Sequence, residues 1–118
     1  MKFSIENDDN IIVFTIKEEN IGADNAPALK AKILIEAQPD IQGMVFEISR
    51  VKSMDSSGLG AFLLAHRQLR DYNIPVHIVN ANNFIRSLMA MTKIDQLFHF
   101  SDDVEDSKQL ILNNQKNN

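Results

Sequence analysis

Apolar positions along this chain fall in blocks whose spacing switches between strand-like and helix-like periods. Ile11-Ile12-Val13-Phe14-Thr15-Ile16 is β-branched and aromatic and predicts a strand. Asp8-Asp9-Asn10 just before it is a turn signal, so the weakly alternating residues 2–6 are expected to fold back as the other half of a hairpin. A polar loop containing Gly22 covers residues 18–23. Asp24 or Asn25 then caps a first helix with Pro27 in its first turn, where a missing N–H loses no intrahelical bond. Ala26, Leu29, Ile33 and Ala37 recur at helical spacing within it, and Pro39 stops it.

Residues 44–48, Met44-Val45-Phe46-Glu47-Ile48, read as a buried strand punctuated by Gly43. Residues 55–58 lead into a second helix, with Leu59, Phe62, Leu63, His66 and Leu69 on one face. Pro75 introduces the short strand Val76-His77-Ile78-Val79. Asn82 or Asn83 caps a third helix carrying Phe84, Ile85, Leu88, Met89 and Met91, and residues 97–100 form a short edge strand. Ser101-Asp102-Asp103 supplies a cap and an acidic first turn to a last helix ending near Asn113, and residues 114–118 are expected to be a frayed polar tail. Strands separated by single helices imply parallel neighbours joined by right-handed crossovers, with the first hairpin antiparallel. The expected fold is α/β: a mixed sheet of four to five strands packed by about four helices, in one domain over residues 1–113.

Composition narrows the class. A chain of 118 residues is one domain's worth and can bury roughly two-thirds of its unfolded surface without staples. It is 44% hydrophobic and 24% charged, the balance of a globular protein. With no cysteine, disulfides, thiolate metal sites and cysteine nucleophiles are excluded together, which suits a reducing cytoplasm. No apolar run approaches the roughly 20 residues of a membrane span. The start, Met1-Lys2-Phe3-Ser4-Ile5-Glu6, lacks the apolar core of a signal peptide. Twelve Lys and Arg against sixteen Asp and Glu give a formal charge of −4, which disfavours nonspecific nucleic-acid binding.

Little of the candidate chemistry is catalytic. His66, His77 and His99 match no metal-ligand spacing, and His66 on its apolar stripe reads as a packed, hydrogen-bonded core residue. Gly58-Leu59-Gly60 has the first half of a dinucleotide fingerprint, but Leu63 stands where the third glycine belongs and no Walker lysine follows. A hydrolase elbow needs glycine two residues before and after its serine; Ser56 has Met54 and Gly58 there, and Ser57 has Asp55 and Leu59. What remains is the cluster Met54-Asp55-Ser56-Ser57-Gly58-Leu59-Gly60 between a strand and an amphipathic helix. In its plainest reading Asp55 or Ser56 is the N-cap and the glycines allow close packing. In a functional reading a hydroxyl here is a phosphorylation site, because a helix N-terminus with unpaired N–H groups accommodates a phosphate.

That cluster resembles the sulfate transporter and anti-sigma factor antagonist (STAS) domain, and within it the stand-alone bacterial anti-sigma factor antagonists. The similarity continues through residues 61–71, the strand 76–80, the helix Asn83-Phe84-Ile85-Arg86-Ser87-Leu88-Met89 and the segment Met91-Thr92-Lys93-Ile94-Asp95-Gln96-Leu97-Phe98. The resemblance implies a STAS-like fold and a binding module that is not an enzyme and holds no cofactor or metal. In antagonists of this kind the serine directly after the aspartate, matched here by Ser56, is phosphorylated by a partner that is both a serine kinase and an anti-sigma factor. The bare antagonist binds that kinase and releases the sigma factor; phosphorylation abolishes binding and a phosphatase restores it. Asp24, Asp55, Ser56, Ser57 and Gly58 are the implied partner-binding residues. The family's usual glycine-x-leucine/isoleucine-aspartate turn is replaced here by Ile21-Gly22-Ala23-Asp24, so Asp24 either fills the family aspartate's place or caps the helix.

The expected behaviour is that of a cytoplasmic monomer forming transient hetero-complexes, with no membrane insertion. Phosphate on Ser56 would oppose docking through repulsion and the cost of burying a dianion. The rival readings are a STAS-type adaptor of a transporter or signalling scaffold, without obligatory phosphorylation, and a small serine hydrolase using Ser56 or Ser57.

Overall fold

In the computed structural model, which describes residues 1–116, the chain first reverses at Asp9 and Asn10. Both adopt positive φ, 53° and 63°, the pair a two-residue type I′ hairpin turn requires. They join β1 (Phe3–Asp8) to β2 (Ile11–Ile16) in antiparallel register, with Phe3 opposite Ile16 and Asp8 opposite Ile11. Three further strands add in parallel: β4 (Gly43–Glu47) beside β2, β6 (Val76–Val79) beside β4, and β7 (His99–Ser101) at the far edge. The five-stranded mixed sheet has the order β1-β2-β4-β6-β7. This is the expected α/β architecture with the sheet at its upper strand count.

Because side chains alternate across a strand, each strand feeds two cores. Ile12, Phe14, Ile16, Met44, Phe46, Val76 and Ile78 face one side, where they meet α1 (Ala26–Glu36), α2 (Ser56–Leu69) and α3 (Asn83–Met91). On that side the rings of Phe3, Phe14, Phe46, Phe62 and Phe98 form a continuous run, with successive centroids 6.0, 5.0, 5.0 and 6.5 Å apart. Such pairs add about 0.5–1.5 kcal/mol each beyond their buried area. Ile11, Val13, Val45 and Val79 face the other side, where Ile111 of α4 (Val104–Lys116) closes a smaller core.

His77 points to this second side. Its Nδ1 lies 3.0 Å from the Ser107 hydroxyl, which is 2.8 Å from that of Ser101, and its ring stacks on His99 with centroids 4.7 Å apart. Lys108 ties the same helix to the hairpin through Asp8, at 2.6 Å.

Several expectations need correction. Residues 95–97 form a 3-10 turn, so the edge strand begins at His99 rather than at 97. The last helix continues three residues past Asn113, which takes residues 114–116 out of the expected frayed tail; 117–118 lie outside the described residues. His66 is half-buried, and its ring meets Phe98 edge-on at 6.2 Å without a hydrogen bond to the described residues. Helical spacing put it on the stripe, but it falls at the stripe's margin, where Ala61 and Ala65 take the core positions instead. Two strands of two residues each, β3 (Asn20–Ile21) and β5 (Ser53–Met54), were not anticipated, being too short to show a period.

Candidate functional site

The unanticipated strands build the site. β3 pairs in parallel with β5, Asn20 opposite Ser53 and Ile21 opposite Met54, forming a separate ribbon beyond the ends of β2 and β4. The Ser53 hydroxyl donates to Asn20 Oδ1 at 2.8 Å, and the Lys52 and Asp55 amides donate to the carbonyls of Glu19 and Ile21 at 2.7 and 3.2 Å. The loop leading to α1 is thereby fastened to the loop leading to α2. Asn82 brings in the third helix: its Oδ1 accepts from the Ile85 amide at 2.8 Å, and its Nδ2 donates to the Lys52 carbonyl at 3.0 Å. Of the two candidates for that cap, Asn82 is the one used.

At the start of α2 the cap is Asp55. Its backbone is extended, and its Oδ1 accepts from the Ser57 and Gly58 amides at 2.8 and 3.3 Å. Ser56 is therefore the first helical residue, exposed, with a hydroxyl that has no hydrogen bond to the described residues. Ser57 follows, half-buried. Gly58, expected among the partner-binding residues, is buried: a Cβ there would lie 2.7 Å from the Ile21 carbonyl oxygen and 2.9 Å from Met54 Cβ. Its place is structural, letting the first turn of α2 press onto the ribbon so that Ser56 projects outward.

In the loop before α1, neither Asp24 nor Asn25 makes a side-chain capping bond to the described residues. Asn25 occupies the N-cap position of α1 but makes no side-chain capping bond; its Oδ1 accepts from the Gly22 amide at 2.8 Å and its Nδ2 donates to the Asn20 carbonyl at 2.8 Å. Asp24 caps nothing either. Instead its carboxylate borders the same space as that of Asp55: the position of a Cβ on Gly22 is 3.6 Å from Asp24 Oδ1 and 3.1 Å from Asp55 Oδ2. Residues 31 apart in sequence are thus brought to one acidic rim next to Ser56. Sequence reasoning named both carboxylates but could not see that both border the space a side chain at Gly22 would fill; no short-range pattern reports it.

Beyond the rim, α3 buries Ile85 and Met89 and leaves Phe84 and Met91 exposed, 56% and 81%, with Leu88 half-buried between them. Positions 84, 88 and 91 are helical neighbours, so they form one outward apolar stripe. Of the two methionines, Met89 is core and Met91 is surface.

The arrangement is poor in catalytic means. His66 lies ten residues down α2 from Ser56, about 15 Å along the axis, and His77 lies across the sheet, so neither can take a proton from Ser56. Burial, then the Arg70 guanidinium, lowers the His66 pKa. One cleft of about 440 Å³ lies at the opposite end of α2, between His66, Arg70, Asn73, Leu97 and His99, and another of about 440 Å³ lies beside the ribbon between Lys17, Glu19, Arg50 and Lys52; Ser56 lines neither. Among the described residues no group of three or more His, Asp or Glu is placed to hold a metal ion, and no helix is long and apolar enough to cross a membrane.

Known proteins share this framework. No curated protein sequence matches the chain. Among solved structures, an anti-sigma factor antagonist from Mycobacterium paratuberculosis superposes with a TM-score of 0.81 at 20% identity, over 93% of this chain and 92% of that one. The Bacillus cell fate determinant SpoIIAA, in its phosphorylated form, gives 0.73 at 18% identity, over 92% and 99%. A sulfate transporter family protein from Wolinella succinogenes gives 0.74 at 10% identity, over 88% of each chain. At these identities the likeness shows the fold. The family model of the STAS domain matches residues 2–107, nearly the whole length, and the chain belongs to the STAS domain family.

Proposed function

We propose that this chain is an anti-sigma factor antagonist, a cytoplasmic, non-enzymatic binding module switched by phosphorylation of Ser56. In the bare state it binds an anti-sigma factor serine kinase, which then lets go of its sigma factor; a phosphoserine phosphatase resets the modified form. The observation that carries this reading is the placement of Ser56. It is exposed at the first turn of α2, its hydroxyl makes no hydrogen bond to the described residues, and the capping role falls to Asp55. A kinase can reach such a hydroxyl without unfolding anything, and the helix N-terminus tolerates the product. Asp24, Asp55, Ser56 and Ser57 form the polar part of the docking surface, and the Phe84–Leu88–Met91 stripe of α3 supplies apolar area of the kind an interface core needs. Solved neighbours include SpoIIAA in unphosphorylated and phosphorylated forms, which supports carrying the switch to the matching serine.

Phosphorylation adds about −1.5 to −2 charges beside two carboxylates. Docking would then require burying a dianion, and a loss of about 3 kcal/mol weakens affinity about a hundredfold. The test is incubation with an anti-sigma factor kinase and ATP, with the site located by peptide mass spectrometry. The reading requires phosphate on Ser56 and none on Ser56→Ala; undiminished uptake by Ser56→Ala would refute the assignment. The adaptor reading, favoured by the transporter-family neighbour, requires partner capture with no phosphate transfer.

A further inference from the structure

We infer that the ammonium of Lys30 is the intramolecular partner of a phosphoryl group on Ser56, holding it in the groove between α1 and α2. This rests on the proposed modification of Ser56 and adds how the modified side chain is held. α1 and α2 each connect parallel strands across the same face of the sheet, so they run side by side in the same direction. Lys30 and Gly60 are each the fifth residue of their helix. A Cβ on residue 60 would lie 3.3 Å from Lys30 Nζ and 3.6 Å from its Cε, so the lysine crosses to α2 where a side chain is missing. Ser56 precedes Gly60 by four positions. The two therefore share one helix face, with about 6 Å between their Cβ positions.

Side chains on a helix lean toward its N-terminus, which for Lys30 is the Ser56 end of the groove. A rotamer change along the flexible lysine stem then brings the ammonium to phosphoryl oxygens that extend outward from the serine. Lys30 is half-buried and has no ion-pair partner among the described residues, where the pairs are Lys52 with Glu19, Arg70 with Asp71 and Lys108 with Asp8. Asp24 and Asp55, which border the start of α2, are both repulsive to a phosphate. Lys30 is the cation that offsets them.

Phosphoserine incorporated at position 56 during translation makes the test independent of any kinase. If no kinase modifies Ser56 the functional proposal fails, and this measurement still stands. The ³¹P resonance of the full chain is followed against pH in the parent, Lys30→Gln, Lys30→Arg and Lys32→Gln, the last removing an equal charge from an exposed turn of α1. The second phosphate ionisation, ordinarily near 6, is expected about half a unit lower in the parent than in Lys30→Gln. Lys30→Arg and Lys32→Gln are expected to track the parent. Equal values in the parent and Lys30→Gln, or an equal shift in Lys32→Gln, would overturn the pairing.

Discussion

The point where Gly58 would carry a Cβ lies 2.7 Å from the carbonyl oxygen of Ile21, closer than any side-chain carbon is tolerated. The start of α2 is seated directly on the β3–β5 ribbon, and the exposed serine two residues earlier inherits its position from that contact. Gly58→Ala is therefore expected to lower unfolding stability by about 1–3 kcal/mol, the usual cost of overpacking against backbone that cannot yield. Urea titration reads this as a lower midpoint with an unchanged slope. A midpoint equal to the parent's would mean that the helix start is not pinned there.

Asp55 has two separable roles, capping the helix and supplying charge to the rim. Asp55→Ala loses the cap and is expected to cost about 1 kcal/mol. Asp55→Asn keeps an equivalent cap and is expected to stay within a few tenths of a kcal/mol of the parent, while changing the charge next to Ser56. Thermal unfolding of the pair measures the cap, and kinase binding by the stable Asn variant measures the charge.

Ser56 itself has no structural burden. With an exposed, unbonded hydroxyl, Ser56→Ala is expected to unfold within about 0.5 kcal/mol of the parent. A larger loss in a denaturant titration would show that the hydroxyl supports the fold, weakening its assignment as a freely modified group.

The second core carries a pH dependence. Burial, then the neighbouring His99, lowers the His77 pKa to about 4 from an ordinary 6.5. The unfolded chain therefore binds a proton that the folded chain refuses across that interval. The stability contributed by neutral His77 is complete above about pH 6.5, falls as the pH drops, and is lost near pH 4. The full span corresponds to about 3 kcal/mol. His66, lowered in the same direction, adds with the same sign. Urea midpoints measured between pH 7 and 4.5 are expected to fall with pH in the parent and to fall less steeply in His77→Gln. Parallel slopes for the two proteins would assign the effect elsewhere.

How much could be read in advance depended on range. The β-branched run 11–16, the Asp9–Asn10 turn and the stripe Leu59, Phe62 and Leu69 are local patterns, and each appears in the structure where its period placed it. The proposed phosphorylation site, Ser56, was legible through the resemblance carried by the contiguous run Asp55-Ser56-Ser57-Gly58. What escaped notice joins distant segments: the Asn20–Ser53 side-chain bond, the approach of Asp24 and Asp55 to the same space at Gly22, the burial of His77 against Ser107, and the reach of Lys30 over Gly60. Strands of two residues carry no period at all, although these two fix the site. His66 shows the opposite failure, since the count of large apolar residues centred the stripe on it, whereas Ala61 and Ala65 take the core positions.

The central claim is that one added phosphate at Ser56 turns docking off. The most direct measurement is the affinity of an anti-sigma factor kinase for this chain, bare and with phosphoserine incorporated at 56, by calorimetric titration under one buffer condition. The account predicts tight binding by the bare form and at least about a hundredfold weaker binding by the modified form. Equal affinities for the two forms would contradict it.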